Sequence, residues 1–152
     1  MNSICQPSQL PHGAYAFDQF KTEDFREAFR LAIEEKHREV EAIIASPEAP
    51  TFANTILALE RSGALLEWVS GSFYNLLHAE ATDELMQISQ EVNPELSALS
   101  SFIILSEPLF ERIRQVWEAR ESLQLDAEDL RLLERCYEGF SESGAQLPAE
   151  EK

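Results

Sequence analysis

The sequence predicts an all-α protein, an antiparallel helical bundle of about five helices. Three observations lead there. Only 5 glycines and 7 prolines occur in 152 residues, too few breakers for many short strands joined by turns. Apolar residues recur in steps of three and four over long windows, and no Val/Ile/Thr-rich alternating segment competes with them. Short polar residues followed by acids stand before most of these windows, as helix starts require.

Residues 1–20 read as an extended N-terminal arm, with Pro7, Pro11 and Gly13 followed by the aromatics Tyr15, Phe17 and Phe20. Residues 21–152 read as the helical domain. Thr22 is the expected cap of a first helix over about 23–45, with Glu23 and Asp24 in the turn where the helix dipole favours acids. Phe25, Ala28, Phe29, Ala32, Ile33, Val40, Ile43 and Ile44 draw its apolar stripe, and Lys36 and His37 interrupt it. Ser46-Pro47 ends it, because the residue before proline avoids helical dihedrals.

Thr51 starts a second helix with Phe52, Ile56, Leu59, Leu66, Val69, Phe73 and Leu76 or Leu77 inward. Gly63 costs about 1 kcal/mol inside a helix, but the stripe resumes in phase at Leu66. The expectation is therefore one continuous helix to about His78-Ala79. Thr82 caps a third, on Leu85, Ile88, Val92, Leu96, Leu99 and Ile103, with a kink at Asn93 ahead of Pro94. Ser106 and Pro108 introduce a fourth, on Leu109, Phe110, Ile113, Val116 and Trp117. Asp126 caps a fifth, whose inward face is Leu130, Leu133, Tyr137 and Phe140, and a loop leads on to a further start near Pro148. No repeat of fixed period occurs.

Charge and composition remove several functions. With 28 acidic and 12 basic residues the formal charge is -16, a surface that repels phosphate backbones and anionic lipid. Neither nucleic acid nor a membrane is an expected partner, and no window reaches the ~18 apolar residues of a spanning helix. Cys5 and Cys136 lack any CxxC or Cys/His spacing, and the first residues lack a secretory h-region; the expected compartment is cytoplasmic.

No catalytic, cofactor-binding or metal-binding residue is predicted. His12, His37 and His78 share no i, i+4 spacing, and the single Glu-x-x-His at Glu34 and His37 has no second copy, since Asn75 precedes His78 and Gln9 precedes His12. His78-Ala79-Glu80 matches the H-x-E of zinc deaminases, but the P-C-x-x-C partner is missing. Cys136 reads as a small half-buried helix residue, and Trp68 and Trp117 as half-buried core before partner contacts.

One segment is nevertheless specific. Pro50-Thr51-Phe52-Ala53-Asn54-Thr55-Ile56, continuing Ala58-Leu59-Glu60-Arg61-Ser62-Gly63, resembles the P-T-F-x-N-T-I-x-A-L-E-x-S-G segment of the M3 family of zinc metallopeptidases, the thimet oligopeptidase group. Phe17-Asp18-Gln19-Phe20-Lys21-Thr22-Glu23-Asp24-Phe25 resembles its helix entrance, with Thr22 where proline is commoner and Asp24 where histidine is commoner. Phe73-Tyr74-Asn75-Leu76, Asn93-Pro94-Glu95-Leu96, and Leu132-Leu133-Glu134-Arg135 through Phe140 to Ser143-Gly144-Ala145 follow in the family's order. The Ser-Gly-Ala ending resembles the peptidyl-dipeptidase branch more than the oligopeptidase A branch.

This resemblance implies the amino-terminal region of a two-lobed helical shell around a deep channel. In the complete family enzyme a zinc-bound water, activated by the glutamate of H-E-x-x-H, attacks the peptide, and the peptidyl-dipeptidase branch releases C-terminal dipeptides. The sequence holds no H-E-x-x-H, so no family ligand or catalytic residue transfers to it. The implied role is to roof the channel, inactive alone, with the remaining peptidase lobe as partner and short peptides bound only by the whole enzyme. A homodimer through an exposed apolar face is a further expectation. The alternative is an autonomous acidic helical module that binds a partner protein.

Overall fold

A computed structural model describes residues 2–6 and 8–143 of the chain. The described residues contain no strand. The elements are α1 Asp24–Ile44, a π-helical turn Phe52–Leu57 running into α2 Ala58–Arg61, α3 Ala64–Glu80, α4 Asp83–Ile104, α5 Glu107–Glu118 and α6 Ala127–Glu142. The all-α expectation is met, with five long helices. The start expected near Pro148 lies outside the described residues.

The chain divides into two compact units, Met1–Arg38 with Gly63–Ala98, and Glu39–Ser62 with Leu99–Lys152. The interruption of the α1 stripe at Lys36 and His37 falls at this division. Phe25, Ala28, Phe29 and Ala32 serve the first core, and Val40 and Ile43 the second.

In the first unit the residues expected to form an extended arm make three short 3-10 turns, Ser3–Cys5, Pro11–Gly13 and Phe17–Gln19. Ile4 is wholly buried with Phe25, Phe29, Val69, Phe73, Leu85 and Ile88. Burial of a side chain that size contributes about 1.5–3 kcal/mol, enough to hold the arm in place. Trp68 Nε1 donates to the Ile4 carbonyl at 2.8 Å, and Asn2 Nδ2 to the Asp24 carbonyl at 2.7 Å. Rings at Tyr15, Phe17, Phe20, Phe25 and Phe73 then contact one another in sequence, with centroids 5.2 to 6.2 Å apart. Arg26 joins α1 to α4 through Glu91, Nε to Oε2 at 2.7 Å.

Helix entry departs from expectation at Thr22. Its carbonyl, together with that of Lys21, accepts the first amides of α1, so a backbone turn performs the capping. Thr82 behaves as expected, its hydroxyl accepting from the Leu85 amide at 3.3 Å. α4 continues through Pro94, whose missing N–H leaves the Gln90 carbonyl without its helical donor. Nearby, Asn93 accepts from the Tyr74 hydroxyl at 2.7 Å.

In the second unit Val40, Ile43, Phe52, Ile56, Leu109, Phe110, Ile113, Val116, Leu133 and Phe140 form the core. Ser106 and Asp126 cap α5 and α6 as the sequence indicates; Asp126 Oδ1 accepts from the Glu128 and Asp129 amides at 3.0 and 2.9 Å. Leu130 is corrected: it is 43% exposed, because the buried side of α6 runs through Leu133 and Phe140 with Cys136 and Tyr137 beside them. Tyr137 stacks on Trp117 at 4.9 Å and 7°, and the Arg120 guanidinium lies over the Trp117 ring, 4.1 Å from its centroid.

Candidate functional site

The residues with chemical potential are dispersed. Glu34 pairs with Arg30 at 2.7 Å on an exposed face of α1, and His37, one turn further on, is half-buried. His12 and His78 are exposed, on the arm and at the end of α3. Among the described residues no group of three His, Cys, Asp or Glu side chains could hold a metal ion. Burial, then the nearby Glu60 carboxylate, pushes the Cys136 thiol up to about 11. Burial also raises Cys5, with Glu27 and Glu35 adding to the effect. Both are thiols, not thiolates, at neutral pH, the opposite of what a nucleophile needs.

The specific segment 50–63 has a physical content that periodicity does not reveal. Thr51 accepts from the Asn54 amide at 3.0 Å, and Asn54 Oδ1 accepts in return from the Thr51 amide at 2.8 Å, closing a capping box. The same oxygen accepts from the Thr55 hydroxyl at 2.9 Å, while Asn54 Nδ2 donates to the Ala49 carbonyl at 3.0 Å. Asn54 thus ties the helix start to the loop before it. From the other side Arg112 of α5, only 8% exposed, donates through Nη1 to the carbonyls of Ser46 and Glu48 at 3.1 and 3.2 Å. Its Nη2 approaches Asn54 Oδ1 at 3.5 Å, and its Nε is buried without a partner.

The helix expected to run from Thr51 to about residue 79 breaks at Ser62-Gly63. Ser62 is extended (φ -70°, ψ 145°) and Gly63 is left-handed (φ 79°, ψ 22°). The Ser62 hydroxyl donates to the Leu59 carbonyl at 2.6 Å, satisfying an end that the break exposes. At Gly63 the stem of Lys36 from α1 approaches the backbone closely.

A second feature lies where the arm meets α3. Ser3, Gln6, Ser8, Gln9, Leu10, Ala16, Gln19, Phe20 and Trp68 enclose a hollow of about 120 Å³. An open recess of about 250 Å³ adjoins it, lined by Cys5, Gln6, Leu65 and Trp68. Trp68 and Gln6 belong to both. Composition could not have located this place, since its serines and glutamines read as ordinary arm residues.

Comparison with known proteins adds what geometry does not. No family model matches the chain. It is 43% identical over 151 residues to a dipeptidyl carboxypeptidase of Salmonella typhimurium, covering 99% of this chain and 22% of that protein. It is 40% identical over 152 residues to a dipeptidyl carboxypeptidase of Escherichia coli, covering all of this chain and again 22% of the relative. A thimet-like oligopeptidase of Dictyostelium discoideum is 27% identical over 135 residues, which is 86% of this chain and 20% of that protein. The chain therefore spans about a fifth of the length of the curated relatives it matches, in their amino-terminal part.

Proposed function

We propose that this chain, a homologue of the dipeptidyl carboxypeptidases over its whole length, serves as the amino-terminal helical portion of such a peptidase. The observation that carries the reading is an identity of 43% over 151 residues, 99% of the chain. The activity it belongs to is release of C-terminal dipeptides from short peptides by a zinc-dependent hydrolase in the cytoplasm. This portion shapes entry to the channel, and its partner is the remaining, catalytic part of the enzyme.

Zinc has no seat in the described residues. They hold no metal-binding cluster, and the sequence holds no H-E-x-x-H. In this reading the chain contributes channel walls, and the steps of hydrolysis belong to the remaining part of the enzyme. Each unit exposes large apolar side chains, Leu10, Phe17 and Met86 in the first and Leu105 and Leu130 in the second, and in this reading the isolated chain dimerises through such side chains. Light scattering that returns a monomer at every concentration counts against that dimer.

A chimera tests the main reading. This chain replaces the matched stretch of the Salmonella enzyme, and release of dipeptide from a blocked tetrapeptide is followed with and without chelator. Chelator-sensitive release by the chimera, with none by this chain alone, is the expected result. A folded but inactive chimera would sink the proposal.

A further inference from the structure

We infer that the paired hollows around Trp68 bind a short uncharged peptide segment. One apolar side chain enters the recess formed by Cys5, Leu65 and Trp68, and the flanking amides meet the carboxamides of Gln6 and Gln19. Three observations carry this. The first is charge. In a chain with 26% charged residues and a net charge of -16, none of the described side chains lining either hollow carries a charge at neutral pH. Burial, with the Glu27 and Glu35 carboxylates adding to it, raises the Cys5 thiol and keeps it neutral as well. An anionic ligand would find no counter-ion among the described lining residues and would lose hydration on entry.

The second observation is the division of the wall. The recess of about 250 Å³ is almost wholly apolar and open on one side, which suits a leucine or methionine side chain entering from solvent. The adjoining hollow is lined by amides and hydroxyls together with the Phe20 and Trp68 rings. Such a pairing of an apolar slot with a few directional polar groups is how small ligands are oriented.

The third is hydrogen-bonding capacity. Ser3 donates to the Gln19 carbonyl at 3.3 Å and Ser8 to the Ala14 carbonyl at 2.5 Å, so both hydroxyls are committed within the arm. The side chains of Gln6 and Gln19 make no hydrogen bond among the described residues. Each carboxamide offers one acceptor and two donor protons, the complement of a peptide group. The arm backbone around them is held by Ile4 and by the Trp68–Ile4 hydrogen bond, so part of the site exists before a ligand arrives.

This goes beyond the peptidase reading and does not depend on it, because the site needs no residue outside the first unit. The test uses the full chain, labelled with nitrogen-15, and three blocked tripeptides: acetyl-Ser-Leu-Ser-amide, acetyl-Glu-Leu-Glu-amide and acetyl-Lys-Leu-Lys-amide. The readouts are the indole signal of Trp68, told from that of Trp117 by the Trp117→Phe variant, and the side-chain amides of Gln6 and Gln19. Saturable shifts at all three with the serine peptide are expected, with a dissociation constant of about 0.1–1 mM. The glutamate peptide should bind at least about tenfold more weakly. Gln6→Glu, an exposed substitution, should weaken the serine peptide about five- to tenfold. Tighter binding of the lysine peptide would reveal attraction to the acidic surface alone and overturns the inference. Shifts that map elsewhere overturn it too, as do shifts that follow protein concentration without peptide. No outcome bears on whether the chimera cleaves.

Discussion

The stem of Lys36 lies against the α-carbon of Gly63, so close that a Cβ on Gly63 would come within 2.5 Å of Lys36 Cδ. Gly63 also has φ 79°, where an L side chain costs about 1 kcal/mol or more. The lysine stem is flexible and can yield, whereas the backbone cannot. Gly63→Ala should therefore lower stability by about 1–2 kcal/mol in urea unfolding. Gly63→Asn should lose less, because asparagine tolerates the left-handed region. If alanine raised stability, the continuous helix suggested by the sequence would be the true one.

Gly71 poses the reverse contest. It sits inside α3, where alanine ordinarily gains up to about 1 kcal/mol. A Cβ there, however, would overlap the Tyr15 hydroxyl, and Tyr15 packs on Trp68 at 4.4 Å. An aromatic ring cannot retreat as a lysine tip can, so Gly71→Ala should push Tyr15 away and loosen the arm. The expected result is a net loss of stability and faster proteolysis before residue 20. Adding Tyr15→Phe removes the colliding oxygen and should restore most of the loss. A double mutant no better than Gly71→Ala alone would assign the effect elsewhere.

These two glycines mark how far the sequence could be read. Thr51, Thr82, Ser106 and Asp126 were legible as helix starts because a cap bonds only two or three residues ahead. The break at Gly63 was hidden because Leu59 and Leu66 lie two helical turns apart, so the stripe keeps its phase across the interruption. Leu130 failed for a similar reason: periodicity locates an apolar stripe, but not which of its edges the neighbouring helices cover. Segment 50–63 was legible as a family likeness, while the role of Asn54 was not. Its partner Arg112 is 58 residues away, and one arginine on an amphipathic helix looks like a solvent residue.

Arg112 supplies the next prediction. Its guanidinium forks to the Ser46 and Glu48 carbonyls, and no carboxylate is its partner in these bonds. Hydrogen bonds from a charged donor contribute about 1.5–3 kcal/mol, and removal leaves carbonyls in the loop short of a donor. Arg112→Ala should cost about 2–4 kcal/mol, measured by urea unfolding. Arg112→Lys keeps the charge but not the planar fork, and should recover less than half of that. Full recovery by lysine would show that charge, not the bridge between Ser46 and Glu48, holds the loop.

Cys136 gives a pH dependence with a definite sign. Its folded value of about 11 lies above the ordinary 9.0, because burial and the Glu60 carboxylate both disfavour the thiolate. The unfolded chain therefore loses this proton at lower pH than the folded one. The stabilising contribution is complete below about pH 9 and is lost as pH rises through about 11. A displacement of this size corresponds to about 2–3 kcal/mol once the thiol ionises in both states. The comparison is between the protein and Cys136→Ala at each pH, which isolates the contribution of this thiol. Alanine leaves a small void and should be the less stable at pH 7.5, yet the gap should narrow steadily toward pH 10.5. An unchanged gap would mean that the thiol ionises at its ordinary value and that α6 does not shield it.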